Sequence, residues 1–281
     1  MKLPFDEKLV QKFLTEERLE GVDERGGFGY QLDLSVPAIA TAIHAGHKVR
    51  DELLPLMALD EAGRLFEEDA ATDEMIRGLP STIWGLDSRA EYDLNRSPDV
   101  ALPLTPERFW GTRVYETQPT KAMNEQSMAK FNSFYRFIAS YIQAVVTRHG
   151  GCVVYDIHSY NISRQVEKGF EHPPEFNLGT ERLDKAKWGK QIDGWLNQLS
   201  AITVPNHEIT VAENRVFFGR AHFSTSLTES FENVLVLPTE VSKIYMDEFQ
   251  GNLDPPVVDS VKQGLQTAIR QHSERFAQLL I

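Results

Sequence analysis

Residues 150–160 read GGCVVYDIHSY. Two glycines close whatever precedes them, and Val153-Val154-Tyr155 then form a short run of strand-favouring residues. A short apolar run bounded by turn residues reads as a buried central strand. In α/β proteins such strands end at the edge of the sheet where ligands bind. The run gives way to Asp156, His158 and Ser159, so the spacing predicts a strand that stops there. It places an imidazole at the edge with a carboxylate two residues away, the pairing a metal-binding histidine and its orienting carboxylate require. The alternative is a capping carboxylate beside a solvated histidine.

Working outward, the pattern alternates strands and helices. Residues 1–20 read as an amphipathic helix carrying Leu9, Val10, Phe13 and Leu14 on one face. Strands are expected at 26–36, broken at Pro37, at 38–43 leading into His44, and at 81–86. Residues 51–69 have helical spacing, 97–120 hold several prolines and read as a loop, and 124–150 form a long helix ended by the glycine pair. Residues 164–180 read as a loop, 183–200 as a helix, 209–214 and 233–241 as strands, and 257–280 as a C-terminal helix. The expected fold is α/β, a mixed, mostly parallel sheet covered by helices on both faces, with residues 1–281 forming a single catalytic domain. His44, 87–89, 156–158 and Glu240 all fall at or just past strand ends, so one site is expected from at least four segments.

Composition narrows the function. The 281 residues carry a formal charge of −12, which argues against nucleic acid or an anionic membrane surface as partner. No apolar run approaches membrane-spanning length. The charged N-terminal stretch MKLPFDEKLVQKF does not read as a signal peptide, so none is expected, and the single Cys152 excludes an internal disulfide framework. A cytoplasmic location is the expectation. Cys152 lies within the apolar run and is expected to be inert packing.

Among polar clusters, His44 and His47 form an H-x-x-H pair suited to a borderline metal, or else a polar loop before a helix. Lys48 and Arg50 beside His47 would repel a cation, so His47 is expected to face substrate. Glu67, Glu68, Asp69 and Asp73 crowd a helix C-terminus, where carboxylates oppose the helix dipole; they suit a cation or a solvated acidic face. Arg89, Asn95 and Arg96 share one polar segment, fit to bind carboxylate or to pair with Glu91 and Asp93. Glu240 ends an apolar strand, where desolvation raises its basicity, unless Lys243 simply pairs with it. Ser159 lacks a nucleophile elbow, and neither glycine pair matches a dinucleotide or phosphate loop.

In order, HAGHKVRDEL, EEDAATD, SRAEYDLNR, YDIHSYN, ENRVFFGRAHFS and LPTEVSKIYMDE resemble the N-formylglutamate amidohydrolase family over about residues 26–253. Ile43, where the family often has proline, and Gly219-Arg220-Ala221, where it usually has two glycines, are departures. The resemblance implies a phosphorylase/hydrolase-like fold akin to the zinc carboxypeptidases and aspartoacylase, and one catalytic Zn²⁺. It implies His44 and His158 as metal ligands with Asp69, preferred over Glu68 and Asp73, as the carboxylate ligand, Glu240 as general base and Arg89 as the group that polarises the scissile carbonyl. Asn95 and Arg96 would grip a substrate carboxylate. Arg220, His222 and Arg215 would be candidates for a second carboxylate. The implied substrate is a small N-acyl amino acid, foremost N-formyl-L-glutamate; a related deacylase or carboxypeptidase, or a non-catalytic metabolite-binding protein, are the rivals.

Overall fold

The computed structural model describes residues 2–280; Met1 and Ile281, the ends of the expected domain, lie outside them. Eight strands form one sheet in the order β1-β2-β4-β3-β5-β8-β6-β7. These are β1 (Arg18–Val22), β2 (Phe28–Asp33), β3 (Ala38–Ala42), β4 (Thr82–Gly85), β5 (Cys152–Tyr160), β6 (Phe176–Leu178), β7 (Val211–Glu213) and β8 (Val234–Ser242). The centre, β4-β3-β5-β8, is parallel, and β6 pairs parallel with β7. Antiparallel pairings join β1 to β2, β2 to β4 and β6 to β8. The sheet is thus mixed and mostly parallel, as the alternation of elements predicts.

Alternate residues of β5 feed two cores, as the pleat requires. Val153, Tyr155 and Ile157 face a core shared with α3 (Thr72–Ile76), α6 (Lys185–Ser200) and α8 (Pro255–Gln278). Cys152 and Val154 face the other, shared with α1 (Glu7–Thr15), α4 (Lys121–His149) and α7 (His222–Ser230). Burial pushes the Cys152 thiol up, so it stays protonated and packs as a small apolar group. Gly150 ends α4 at φ 83°, a left-handed conformation that glycine adopts without penalty.

Several local expectations are corrected. The first helix is only α1, because the charged residues after Thr15 turn into the edge strand β1. Residues 51–69 are not one helix: a single 3₁₀ turn at Leu54–Leu56 precedes the short α2 (Glu61–Glu67), which Asp60 caps by accepting from the Gly63 N–H. The expected loop 164–180 contains most of α5 (Ile162–Glu167) and all of β6. Strand β5 does not stop at Asp156. It runs to Tyr160, because every residue to that point still pairs with β8.

Candidate metal centre

The parallel strands β3, β4, β5 and β8 bring their carboxyl ends to one edge. His44 follows β3, the 86–96 segment follows β4, His158 lies near the end of β5, and Glu240 lies opposite it in register on β8. Asp156 and His158 are two apart on one strand and therefore share a face. Gly46 and Gly85 let the chain after β3 lie directly on the end of β4. A Cβ on Gly46 would meet Asp87 O at 2.4 Å, and one on Gly85 would meet Ile43 O at 2.4 Å. The 86–96 segment is pinned to α4 from below. Glu91 accepts from Arg50 Nε at 2.7 Å and from Ser127 Oγ at 3.0 Å, and Asp87 accepts from Lys130 Nζ at 2.8 Å.

His44, Asp69 and His158 converge in the interior, one donor atom of each lying within 4.8 Å of the other two. All three are buried. Each histidine is held from behind by a different carboxylate. His44 Nε2–H donates to Asp93 Oδ1 at 2.8 Å, and His158 Nε2–H donates to Asp156 Oδ2 at 3.0 Å. Both rings thereby turn Nδ1 toward Asp69, at 3.5 Å from His44 and 2.9 Å from His158. His44 Nδ1 is buried with no hydrogen-bond partner. An orphaned imidazole nitrogen beside a carboxylate and a second imidazole fits a borderline divalent cation, with the tautomers already selected.

The electrostatics agree. Burial alone would raise the Asp69 carboxyl, yet the hydrogen bond from His158, with His44 and the charge of Arg89 close by, holds it well below the usual carboxylate range. Asp93 is likewise held low against burial by Arg89 and His44. Burial would lower His158, but Asp156, Asp69 and Glu240 drive it well above the ordinary imidazole value. Glu240 is pushed up to about 8, mainly by burial, with Asp69 and Asp156 adding to the shift and His158 opposing it.

The cluster forms the floor of a cavity of about 290 Å³, also lined by Arg89, Asn95, Arg96, Trp110, Arg164, Glu240 and Lys243. Three consecutive carboxylates at the end of α2 have separate partners. Glu67 takes both terminal nitrogens of Arg164, Glu68 takes His47 and Ser88, and only Asp69 of the three reaches His44 and His158. Asp73 turns away to Arg77 at 3.0 Å. Arg89 donates to Asp93 Oδ2 at 2.9 Å and lies 3.6 Å from Asp69. Asn95 Nδ2 comes within 3.4 Å of His158 Nε2.

Three expected substrate contacts lie away from this cavity. His47 is drawn off by Glu68 and Glu61, the second at 3.6 Å. His222 begins α7 with its ring packed on Tyr135 at 5.3 Å. Arg220 pairs with Glu181 and lines a neighbouring hollow of about 210 Å³ that shares Asn95, His158 and Glu240 with the main cavity. Conversely, Asp93, Trp110, Arg164 and Lys243 belong to the cavity wall or its support. Asp93 sits within the SRAEYDLNR segment, where the sequence offers it only as an ion-pair partner for a neighbouring arginine. Trp110 lay in the expected loop and gave no periodic signal.

At the carboxyl edge of an α/β sheet, a buried His-Asp-His set with the donor atoms a divalent cation takes opens onto a cavity that also holds a carboxylate. The family model described as N-formylglutamate amidohydrolase matches residues 36–246, and the chain belongs to that family. The family supports amidohydrolase activity. Among solved structures, an N-formylglutamate amidohydrolase from Ralstonia eutropha JMP134 is similar at a TM-score of 0.71 and 15% identity, covering 89% of this chain and 97% of that one. A gene product of Agrobacterium tumefaciens is similar at a TM-score of 0.59 and 15% identity, covering 97% and 98%. At these identities the likeness is one of fold. No curated protein sequence matches the chain. Among the described residues, no helix is long and apolar enough to cross a membrane.

Proposed function

We propose that this protein is a zinc-dependent amidohydrolase of N-acyl amino acids, with N-formyl-L-glutamate cleaved to formate and glutamate as the leading reaction. The observation that carries the reading is the convergence of His44, Asp69 and His158 beside Glu240 in one cavity. Two imidazoles and a carboxylate are a donor set that leaves a position for water. A Zn²⁺ held there would acidify a water and polarise the scissile carbonyl.

The chain's own groups divide the remaining work. Glu240, raised to about 8 by its burial, is poised near neutrality to take a proton from the attacking water. It returns that proton to the leaving nitrogen. Arg89 lines the cavity between Asp69 and Asp93, and its positive charge stabilises the oxygen as negative charge develops on it. Asn95 and Arg96 hold the substrate carboxylate. Asp93 and Asp156 keep each imidazole in the tautomer that presents Nδ1.

The test is formate release from N-formyl-L-glutamate by the purified, zinc-loaded protein, with bound zinc measured in parallel in His158→Ala. Loss of both zinc and turnover in the variant is the expected result. A folded, zinc-bound wild type that releases no formate would reject this substrate.

A further inference from the structure

Five cations line the catalytic cavity; the exposed Lys168 stands apart, and the other four gather around two aromatic rings. The Trp110 ring lies under Arg89 at 4.3 Å, Arg96 at 5.2 Å and Arg164 at 5.8 Å. The Phe66 ring lies under Arg164 at 5.3 Å and Lys243 at 5.8 Å. Arg96, Arg164 and Lys243 therefore follow one another along an arc, with Arg164 touching both rings.

Their charges are not equally satisfied. Arg164 is neutralised by Glu67 through two hydrogen bonds of 2.8 and 2.6 Å. Arg89 is paired with Asp93. The two ends of the arc differ. Arg96 has its Nε 3.5 Å from an Asp93 oxygen that already accepts from Arg89, and that Nε makes no hydrogen bond. Lys243 is only 3% exposed, and its Nζ donates to the Phe66 carbonyl at 2.7 Å. Among the described residues no carboxylate pairs with it. Asn161 Nδ2 also donates to the Phe66 carbonyl, at 2.8 Å, and so fixes the acceptor that positions the ammonium. An ammonium has three protons to donate, and one is used. Burial lowers Lys243 to about 8. A buried, unpaired charge is unfavourable unless something completes it, and this one faces the space where substrate would lie.

We propose that Lys243 is a specificity residue. Its ammonium receives the side-chain carboxylate of a dicarboxylic N-acyl amino acid, while Asn95 and Arg96 hold the α-carboxylate at the other end of the arc. This rests on the amidohydrolase reading and narrows it to dianionic substrates. It also moves the second-carboxylate contact from Arg215, Arg220 and His222 to a residue that lines the cavity. A monoanionic substrate leaves Lys243 desolvated and without a partner, and sites with a buried polar group discriminate strongly against ligands that leave it unpaired.

The experiment compares kcat/KM for N-formyl-L-glutamate and its neutral-side-chain counterpart N-formyl-L-glutamine in zinc-loaded wild type, Lys243→Gln and Lys243→Arg. Gln keeps a donor for the Phe66 carbonyl and removes the charge; Arg keeps the charge. The expected result is a wild-type preference for the glutamate substrate of roughly 100-fold, reduced roughly 10- to 100-fold in Lys243→Gln through KM, with the glutamine substrate unaffected and Arg intermediate. Equal losses on both substrates, or a wild type indifferent between them, would overturn the proposal. A second arm separates its failure from that of the amidohydrolase reading: calorimetric binding of glutarate and of its monoamide. Weaker glutarate binding in Lys243→Gln with unchanged monoamide binding supports the carboxylate site even without turnover. Equal glutarate binding by both proteins overturns it.

Discussion

The two histidines of the cluster are built alike and reached differently. Both present Nδ1 to Asp69 and hand Nε2–H to a carboxylate behind them. On the β5 arm that carboxylate is Asp156, two residues away on the same strand face. On the β3 arm it is Asp93, 49 residues away in a segment fastened to α4 through Ser127 and Lys130. The β5 arm is rigid by virtue of the sheet alone. The β3 arm depends on the glycines that let it settle onto β4 and on the buried ion pairs that hold the 86–96 segment. Asp93 also accepts from Arg89 and from the Asn95 N–H, whereas Asp156 adds only the Thr41 hydroxyl. One partner serves a single histidine; the other ties a histidine to Arg89 and Asn95, which line the cavity.

The largest effect should come from outside both arms. Glu240→Gln leaves each histidine and its carboxylate in place, so zinc content should stay at wild-type level while kcat falls by roughly 10²- to 10⁴-fold. Wild-type turnover in this variant would remove Glu240 from the mechanism. The arms themselves are separated by Asp93→Asn and Asp156→Asn. Both should weaken zinc binding, by roughly 10- to 100-fold. Asp93→Asn should lie at the upper end and also raise KM, because Arg89 and Asn95 lose their anchor with it. Identical zinc and KM effects in the two variants would show that the arms do not differ in the way their contacts imply.

A smaller effect is the pH dependence of metal binding. Asp156, Asp69 and Glu240 raise His158 despite its burial, so the metal-free protein holds that proton near neutrality. An imidazole must be neutral to bind a metal, so zinc binding displaces the proton and affinity rises with pH, about tenfold per unit per proton released. Asp156→Asn removes the strongest of the charges that hold the proton and should flatten the slope. Zinc titrations from acid to neutral pH check this; an unchanged slope would assign the proton to another group.

The same contrast explains what was legible in the sequence. His158 and Asp156 could be found together because a strand repeats every two residues and the run of β-formers located the strand. Its extent was misjudged, since pairing with β8 rather than composition carries β5 to Tyr160. The four parallel strand ends, and so the convergence of His44, His158 and Glu240, followed from the alternation of elements. Asp93 was not found as a partner of His44, since only the packing of one loop on another brings them together. His47 lies off the cavity because the buried Glu68 holds it, a contact that spacing along the chain does not reveal. Trp110 and Lys243 escaped for the same reason: a loop tryptophan and a lysine near a glutamate look ordinary until the cavity wall is assembled.

The finest test of the comparison lies one contact further back on the β5 arm. Thr41 is fully buried on β3, opposite Asp156 in register, and its hydroxyl donates to Asp156 Oδ1 at 2.9 Å. Valine has the same shape and strand preference, so Thr41→Val removes the hydroxyl and little else. It leaves Asp156 with one acceptor oxygen short of a donor, at a cost in stability of about 1–3 kcal/mol, and loosens the carboxylate that aims His158. Zinc affinity should fall only a few-fold, less than in Asp156→Asn. The decisive measurement is a cycle of the two single variants and the double, read by zinc titration. If Thr41 acts through Asp156, adding Thr41→Val to Asp156→Asn should lower zinc affinity less than it does in the wild type. Full additivity would mean that the threonine acts on the site by another route, and that the β5 arm is not the short, self-contained unit its strand geometry makes it.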